Sequence, residues 1–470
     1  MNRYEVGSAR AEEFIHDGEI HATLEYAERH CNDTALINEI LQKGAEGQGL
    51  SHREAAVLLL CDSSFEERIF ALAKHIKQRI YGNRIVMFAP LYLSNHCING
   101  CTYCPYHATN RTIPRRKLTQ EEIHREVIAL QDMGHKRLAL EMGEHPTLNN
   151  IDYLVESINT IYSIRHRNGA IRRVNVNIAA TTVEEYRLLH EANIGTYILF
   201  EETYDRATYE RLHPSGPKSD WAYHTEAMDR AMQGGIDDVG IGALFGLSDY
   251  RYDFVGMLMH AEHLEATFGV GPHTISVPRI RPADDIDLAA FPNAVTDERF
   301  RRIVAVLRIA VPYTGMIVST RESQRSREEV LEVGVSQLSG ASRTSVGGYS
   351  ENDQATEQFD ISDTRTLDEV VAWLLELGYV PSFCTACYRE GRTGDRFMSL
   401  AKSGAIANCC GPNALMTLAE YLEDYASDKT RELGRRIIAS ELLNIPAERV
   451  RRIVEERIAR IEGGERDFRL

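Results

Sequence analysis

The 470-residue sequence has no apolar run of about 18 residues, so no bilayer-spanning helix is expected. No apolar segment follows Met1-Asn2-Arg3-Tyr4-Glu5; Glu12 and Glu13 come instead. No secretory signal is read there, and a cytoplasmic, reducing compartment is expected. Basic residues are in deficit: 53 Lys and Arg against 69 Asp and Glu give a net charge of −16, which argues against wholesale nucleic-acid binding. One local basic run stands apart, Arg115-Arg116-Lys117. The chain also lacks internal repeats and low-complexity tracts. What it has is 43% apolar residues, enough for a sizeable core and too many for a disordered chain.

Cysteines are nine, an odd count that does not suit a disulfide framework in so long a chain. Cys31 and Cys61 are isolated. The other seven fall into two groups, Cys97, Cys101 and Cys104, then Cys384, Cys387, Cys409 and Cys410. In a reducing compartment, clustered thiols point to metal.

Residues 1–83 read as an N-terminal helical extension, with helical apolar spacing in Glu54–Leu60 and Glu66–Ile80. From residue 84 strand and helix patterns alternate. The strands are expected at Ile85–Ala89, Arg137–Met142, Val174–Ile178, Thr196–Phe200, Val239–Leu244, Thr274–Val277, Met316–Ser319 and Val335–Leu338. The helix after the first strand opens with a capping box, Thr119 and Glu122. Eight strands separated by helices predict a parallel sheet closed as a (β/α)8 TIM barrel over residues 84–380. Residues 349–363 are polar and acidic and read as a surface loop, and Leu367–Leu377 as the closing helix. Residues 381–470 form a third region, a helical C-terminal domain carrying the second cysteine group.

The first group, Cys97-x3-Cys101-x2-Cys104, follows the first strand, at the barrel end where active sites lie. Three thiolates can hold three irons of a 4Fe–4S cube and leave the fourth iron open. A structural zinc completed by His107 is the competing reading. The second group, Cys384-x2-Cys387-x22-Cys410 with Cys409 adjacent, leaves the same choice between an all-cysteine zinc knuckle and a second cube.

The first spacing, with Tyr103 before its last cysteine, resembles the radical S-adenosylmethionine superfamily. That resemblance implies a cofactor whose amino and carboxylate groups chelate the open iron and whose one-electron cleavage gives a 5′-deoxyadenosyl radical. Tyr103, Gly143 and Glu144 after the second strand, Asn177 after the third and Arg206 after the fourth match the cofactor-binding positions. The second spacing sits in the stretch Cys384–Met398 (CTACYREGRTGDRFM), followed by Asn408–Ala414. Together with Gly271–Arg279, Leu212–Lys218 and Ser319–Ser323, it is similar to the tyrosine lyases that mature FeFe-hydrogenase. Two positions depart from that family's pattern, Glu201 in place of glutamine and His145 in place of aspartate.

The resemblance implies L-tyrosine as substrate, cleaved at Cα–Cβ to p-cresol and dehydroglycine, and conversion of dehydroglycine to carbon monoxide and cyanide. Two 4Fe–4S clusters, S-adenosylmethionine and a labile fifth iron with a small amino-acid ligand are implied, with an electron donor and the other hydrogenase maturases as partners. Cys384, Cys387 and Cys410 are expected to hold the auxiliary cluster and His273 the fifth iron. Arg321 is expected to fork onto the substrate carboxylate, with Ser323 assisting; a salt bridge to Glu322 is the alternative for Arg321. The tyrosine lyase of thiazole biosynthesis, which stops at dehydroglycine, is the related alternative. Sites at opposite mouths imply a separation of about 17–20 Å or more. An open interior channel is therefore expected, with Ala139, Gly240, Gly242 and Ser336 leaving room for it.

Overall fold

In the computed structural model, which describes residues 3–351, 354–402 and 405–470, eight parallel strands form the expected barrel. They are β1 (Arg84–Ser94), β2 (Arg137–Met142), β3 (Arg173–Asn177), β4 (Tyr197–Ile198), β5 (Val239–Gly242), β6 (Thr274–Ser276), β7 (Gly315–Val318) and β8 (Gln337–Ser339). β8 returns to β1 through Val86–Gln337, Met87–Leu338 and Phe88–Ser339, which closes the cylinder. Strands this short are stable here because both faces are covered, one by outer helices and one by the barrel interior.

β1 is the exception in length, at 11 residues. Its Ala89–Ser94 half pairs with β2. Its Arg84–Val86 end pairs instead with a ninth strand, β9 (Val380–Ser382). β9 straddles the expected division at residue 380 and brings Cys384 and Cys387 to the amino-terminal mouth. Because side chains alternate along a strand, Arg84, Val86, Phe88, Pro90 and Tyr92 all face the interior.

The outer helices follow the sequence signals. Gln120–Met133 starts at Thr119 with the expected capping box and ends at Gly134 in the left-handed region, φ 100°. Asp297–Ala310 buries Phe300, Ile303, Val304 and Leu307. The N-terminal helices Asp17–His30, Thr34–Glu46, His52–Leu60 and Glu66–Tyr81 wrap this outer ring, and the last of them packs on Asp297–Ala310. No helix among the described residues is long and apolar enough to cross a membrane.

The expected surface loop 349–363 is a correction. Two of its positions, 352 and 353, lie outside the described residues. Of the rest, Thr356, Phe359 and Asp363 are buried. Polar groups go inside here because they are paired: Asp363 binds Arg327 and Arg365, and Tyr92 donates to Gln358 at 2.8 Å.

Below the amino-terminal mouth, the helix Cys410–Asp424 carries Cys410 at its start and Glu420 on its buried face. Glu420 accepts from Arg172 at 2.8 Å and from the Asp467 backbone at 2.6 Å, and pairs with Lys136 at 3.6 Å. Burial, then the neighbouring Arg172, brings the Lys136 ammonium down to about 8. Glu420→Ala leaves the buried Lys136 without its carboxylate and Arg172 with only the partly exposed Asp467, at 3.2 Å. It is expected to cost about 3–5 kcal/mol in denaturant unfolding; a loss under about 1 kcal/mol, the value of an exposed pair, contradicts the assignment.

Candidate active site

At the carboxyl-terminal mouth lies a cavity of about 230 Å³. Cys97, Cys101 and Cys104 line it, with Tyr103, Gly143, Glu144, Asn177 and Arg321. The cysteine loop is clamped by the run Leu212–Lys218. Gly100 N donates to Ser215 O at 2.9 Å and Thr102 N to Leu212 O at 3.0 Å. A Cβ on Gly100 would sit 2.4 Å from Ser215 Oγ, so any other residue here would have to turn that hydroxyl aside. Tyr103 O–H and His213 Nε2 share a 2.8 Å hydrogen bond. From β2, Gly143 brings its backbone against the same loop; a Cβ there would meet His96 O at 2.5 Å. Asn99 ties the two sides, donating to Glu144 at 2.6 Å and accepting from Lys218 N at 3.0 Å.

Burial raises the Cys101 thiol and pushes Cys104 up to about 11. A metal must therefore displace protons to bind. Among the described residues no three His, Cys, Asp or Glu side chains converge on one ion position. His107 faces away, its Nε2 3.3 Å from Asp285 and its Nδ1 2.8 Å from Thr109. Three thiols on one cavity wall can each take a separate iron of a polynuclear cluster, and His107 is turned toward Asp285 and Thr109.

Arg321 is held over the Phe359 ring at 3.5 Å from its centroid and makes no ion pair among the described residues. The alternative salt bridge is not formed: Glu322 is taken by Arg279 and Arg281. A guanidinium that faces the cavity without an ion-pair partner is ready for a carboxylate from a ligand. Near it, Glu141 is pushed up to about 8 by burial, opposed by Arg321 and by a hydrogen bond from Asn177. Apolar walls come from Phe88, Ile198, Leu199, Phe200, Ile317 and Phe359.

Two expected residues are not brought here. Arg206 opens the helix Arg206–Leu212, binds Glu210 at 2.8 Å, lies over Trp221 and is absent from the cavity wall. Its i,i+4 spacing to Glu210 was the signal for an outer-face pair. Ser323 caps the helix Gln324–Val333, accepting from Ser326 N at 3.2 Å; Ser319 and Thr320 reach the cavity in its stead. Two wall residues escaped sequence reasoning, Lys218 and Glu202, which pair at 2.7 Å. Glu202 holds φ 71°, a left-handed backbone uncommon outside glycine and a mark of functional positions.

A second, smaller cavity of about 50 Å³ sits at the amino-terminal mouth, lined by Arg84, Arg137, His273, Cys384, Cys387 and Tyr388 among others. Cys410 Sγ is 3.9 Å from both Cys387 Sγ and Cys409 Sγ. Hydrogen bonds from Cys387 and Cys409, with the nearby Arg84, hold the Cys410 thiol well below its usual range. Burial opposes the Arg84 charge, yet Cys410, Cys384 and Cys387 keep it protonated. Arg84 and Arg137 make no ion pair with a carboxylate among the described residues, and Arg137 Nε has no hydrogen-bond partner. Buried cations beside thiols fit an anionic thiolate-bound cluster, whose cap sulfurs would move apart to hold separate irons. Burial lowers the His273 imidazole, opposed by Asp238; its Nδ1 lies 3.4 Å from Asp238 in a geometry that makes no hydrogen bond.

The two cavities share no wall residue. The expected open channel is corrected. An apolar layer of Phe88, Ala139 and Ile317 lies between them. The space at Gly240 is filled by Thr274 and Ile198, and at Gly242 by Ser276 and Phe200. Val86 and Phe88, Arg137 and Ala139, Gly315 and Ile317, and Gln337 and Ser339 each contribute one residue to either cavity. One strand step, about 7 Å, is all that separates the walls.

Residues 91–258 match the Radical SAM superfamily and residues 276–380 the Biotin and Thiamin Synthesis associated domain. The crystal structure of HydG, a maturase of the FeFe-hydrogenase, is 54% identical with a TM-score of 0.95, covering 97% of this chain and 100% of that one. HydG from Carboxydothermus hydrogenoformans is 40% identical with a TM-score of 0.83, covering 95% and 99%. The 2-iminoacetate synthase of Escherichia coli (strain K12) is 33% identical over 69% of this chain and 84% of its own length.

The family departure at Glu201 lies outside the cavity. Glu201 is buried and accepts from Thr225 Oγ1 at 2.9 Å. Burial raises its carboxyl well above the ordinary range, so the folded chain holds this proton more tightly than the unfolded chain does. Stability therefore falls as pH rises above about 4.3, the unfolded value. Glu201→Gln is expected to raise Tm, by more at pH 8 than at pH 5; an equal shift at both contradicts this.

Proposed function

Because the chain belongs to the radical SAM superfamily, within the HydG group of FeFe-hydrogenase maturases, we propose that it cleaves L-tyrosine to p-cresol and dehydroglycine and converts the latter to carbon monoxide and cyanide. Cys97, Cys101 and Cys104 would hold the 4Fe–4S cluster of the family, and Tyr103, Gly143, Glu144 and Asn177 would border S-adenosylmethionine. When bound, that pair supplies the adenosyl radical that takes hydrogen from the tyrosine amino group. The chain positions the substrate. Arg321, half-buried over Phe359 and without an ion pair among the described residues, forks onto the carboxylate, and the apolar wall excludes water around the phenol.

Cys384, Cys387 and Cys410 would hold a second 4Fe–4S cluster, with His273 reaching a labile iron that leaves as cargo together with a small amino-acid ligand. The unpartnered Nδ1 of His273 and the cations Arg84 and Arg137 support this. The observation that favours maturation over the thiazole-pathway lyase is this second site. Its cysteines lie beyond both matched family segments, which end at residue 380. Other hydrogenase maturases and an electron donor are the partners, in a cytoplasmic, reducing setting.

The test is anaerobic reconstitution with dithionite, S-adenosylmethionine and tyrosine, assaying p-cresol, cyanide and carbon monoxide together. Cys387→Ser is expected to keep p-cresol and lose carbon monoxide; loss of both contradicts the division of labour. Ala139→Phe thickens the layer between the cavities. It is expected to lower carbon monoxide about tenfold or more relative to p-cresol, since barrel interiors have little slack; an unchanged ratio removes the interior route.

A further inference from the structure

The second thiol site is closed on its outer side by a short element. Its cavity, about 50 Å³, lies well below the ~300 Å³ at which small-molecule sites begin, so cargo of more than a few atoms passes only if a wall moves. Most of the wall is barrel: Arg84, Val86, Arg137, Gly315 and Gln337 sit on strands paired on both sides. Cys387 and Tyr388 differ. They sit on the helix Ala386–Arg389, four residues long and without a side-chain cap at its start. A helix of one turn does not hold itself, so it takes its place from what it is tied to.

On the cavity side the tie is Tyr388, whose hydroxyl shares a 3.0 Å hydrogen bond with Thr196. On the outer side it is the segment Arg466–Leu470. Arg389 forks onto Asp467 with two bonds of 2.6 Å. Arg469 donates to Glu390 at 2.6 Å, and Arg392 donates to Leu470 O. The same segment grips the helix that opens with Cys410. Leu470 N donates to Asn413 Oδ1 at 2.8 Å, Asn413 Nδ2 returns a bond to Leu470 O at 3.1 Å, and Arg466 forks onto Asp424 at 2.6 and 2.8 Å. One segment thus bridges the two elements whose thiols, Cys387 and Cys410, approach to 3.9 Å.

The bridge is made of parts that come away. Arg466–Leu470 has no regular secondary structure and follows Gly463-Gly464, with Gly464 at φ 103°. Asp467 holds φ 68°, a left-handed backbone that costs a residue other than glycine energy. Arg389 and Asp467 keep 26% and 41% of their side-chain exposure, so water and salt reach the pair.

We propose that Arg466–Leu470 is a strap over the second thiol site: fastened, it holds the helix Ala386–Arg389 against the helix Cys410–Asp424; released, it lets the short helix swing out and the cargo leave. The inference rests on the functional reading above and deepens it, since it names the wall that yields. Release breaks only hydrogen bonds and ion pairs.

Amide hydrogen exchange of the full-length protein, measured both reconstituted and metal-free, reads the release. Arg389→Ala and, from the other side, Asp467→Asn are each expected to speed exchange of the amides of 387–392 about fivefold, the effect of one partly exposed ion pair. Arg389→Lys keeps the charge, loses the fork and falls between. In the anaerobically reconstituted protein a chelator strips iron from the second thiol set faster by the same factor and from the first set at the wild-type rate. Raised salt narrows the difference between wild type and Arg389→Ala. Arg435→Ala, which removes a 3.1 Å pair with Glu423 on the helix Cys410–Asp424, serves as control and changes neither rate. Wild-type exchange and iron loss in both Arg389→Ala and Asp467→Asn, an equal rise in Arg435→Ala, or an equal rise at the first thiol set overturns the strap. A wild type that builds no iron–sulfur centre on Cys384, Cys387 and Cys410 sinks the functional reading instead, and exchange of the metal-free chain still decides the strap.

Discussion

The strand Arg84–Ser94 is the constraint on which both sites depend. Its alternation sends Arg84 and Val86 to the lower cavity and Phe88, Pro90 and Tyr92 to the upper one. Its carboxyl end leads into the cysteine loop, and its amino end pairs with Val380–Ser382, which leads into Cys384 and Cys387. Arg84 to Tyr92 is eight residue steps, about 26 Å of extended chain. The two thiol groups are therefore fixed relative to one another by a single rigid element, not by the docking of two domains.

The two mouths solve opposite electrostatic problems. At the upper mouth burial raises the Cys101 and Cys104 thiols, and the nearby cations Lys218 and Arg321 differ in how they are used: one neutralises Glu202, the other is left open. At the lower mouth Arg84 and Arg137 have no carboxylate and face sulfur instead. A buried cation without a counter-charge is costly, and the Cys410 thiol, held low by Cys387, Cys409 and Arg84, is the counter-charge nearest to hand. The apolar layer of Phe88, Ala139 and Ile317 keeps the two electrostatic regions apart and makes passage between them a matter of side-chain motion.

The sequence carried the barrel clearly, because eight apolar runs alternate with helical periodicity and each observed strand overlaps its expected run. Val380–Ser382 was illegible: Pro381 removes a backbone donor, which argues against a strand unless it lies at an edge. The cysteine spacings and the Gly143–Glu144 turn marked the upper site. Arg206 and Ser323 misled because being next to a strand end in sequence does not aim a side chain inward; each begins or caps an outer helix, as its i,i+4 or i,i+3 partner indicates. Lys218 was hidden for the converse reason: the segment after the helix Arg206–Leu212 folds its backbone onto Asn99 and its ammonium onto Glu202, and no periodicity records that. Glu201 reads as a departure at the cofactor rim and turns out to be a buried stand-in for an amide.

The central claim is that two separate thiol sets hold two clusters, each with an iron left for a non-protein ligand. Electron paramagnetic resonance of the reduced, anaerobically reconstituted protein tests it most directly. Two distinct cubane signals are predicted, of which S-adenosylmethionine perturbs only the one lost in Cys101→Ser, while the other disappears in Cys384→Ser. A single signal, or a second thiol set filled by zinc with no signal, would contradict the account.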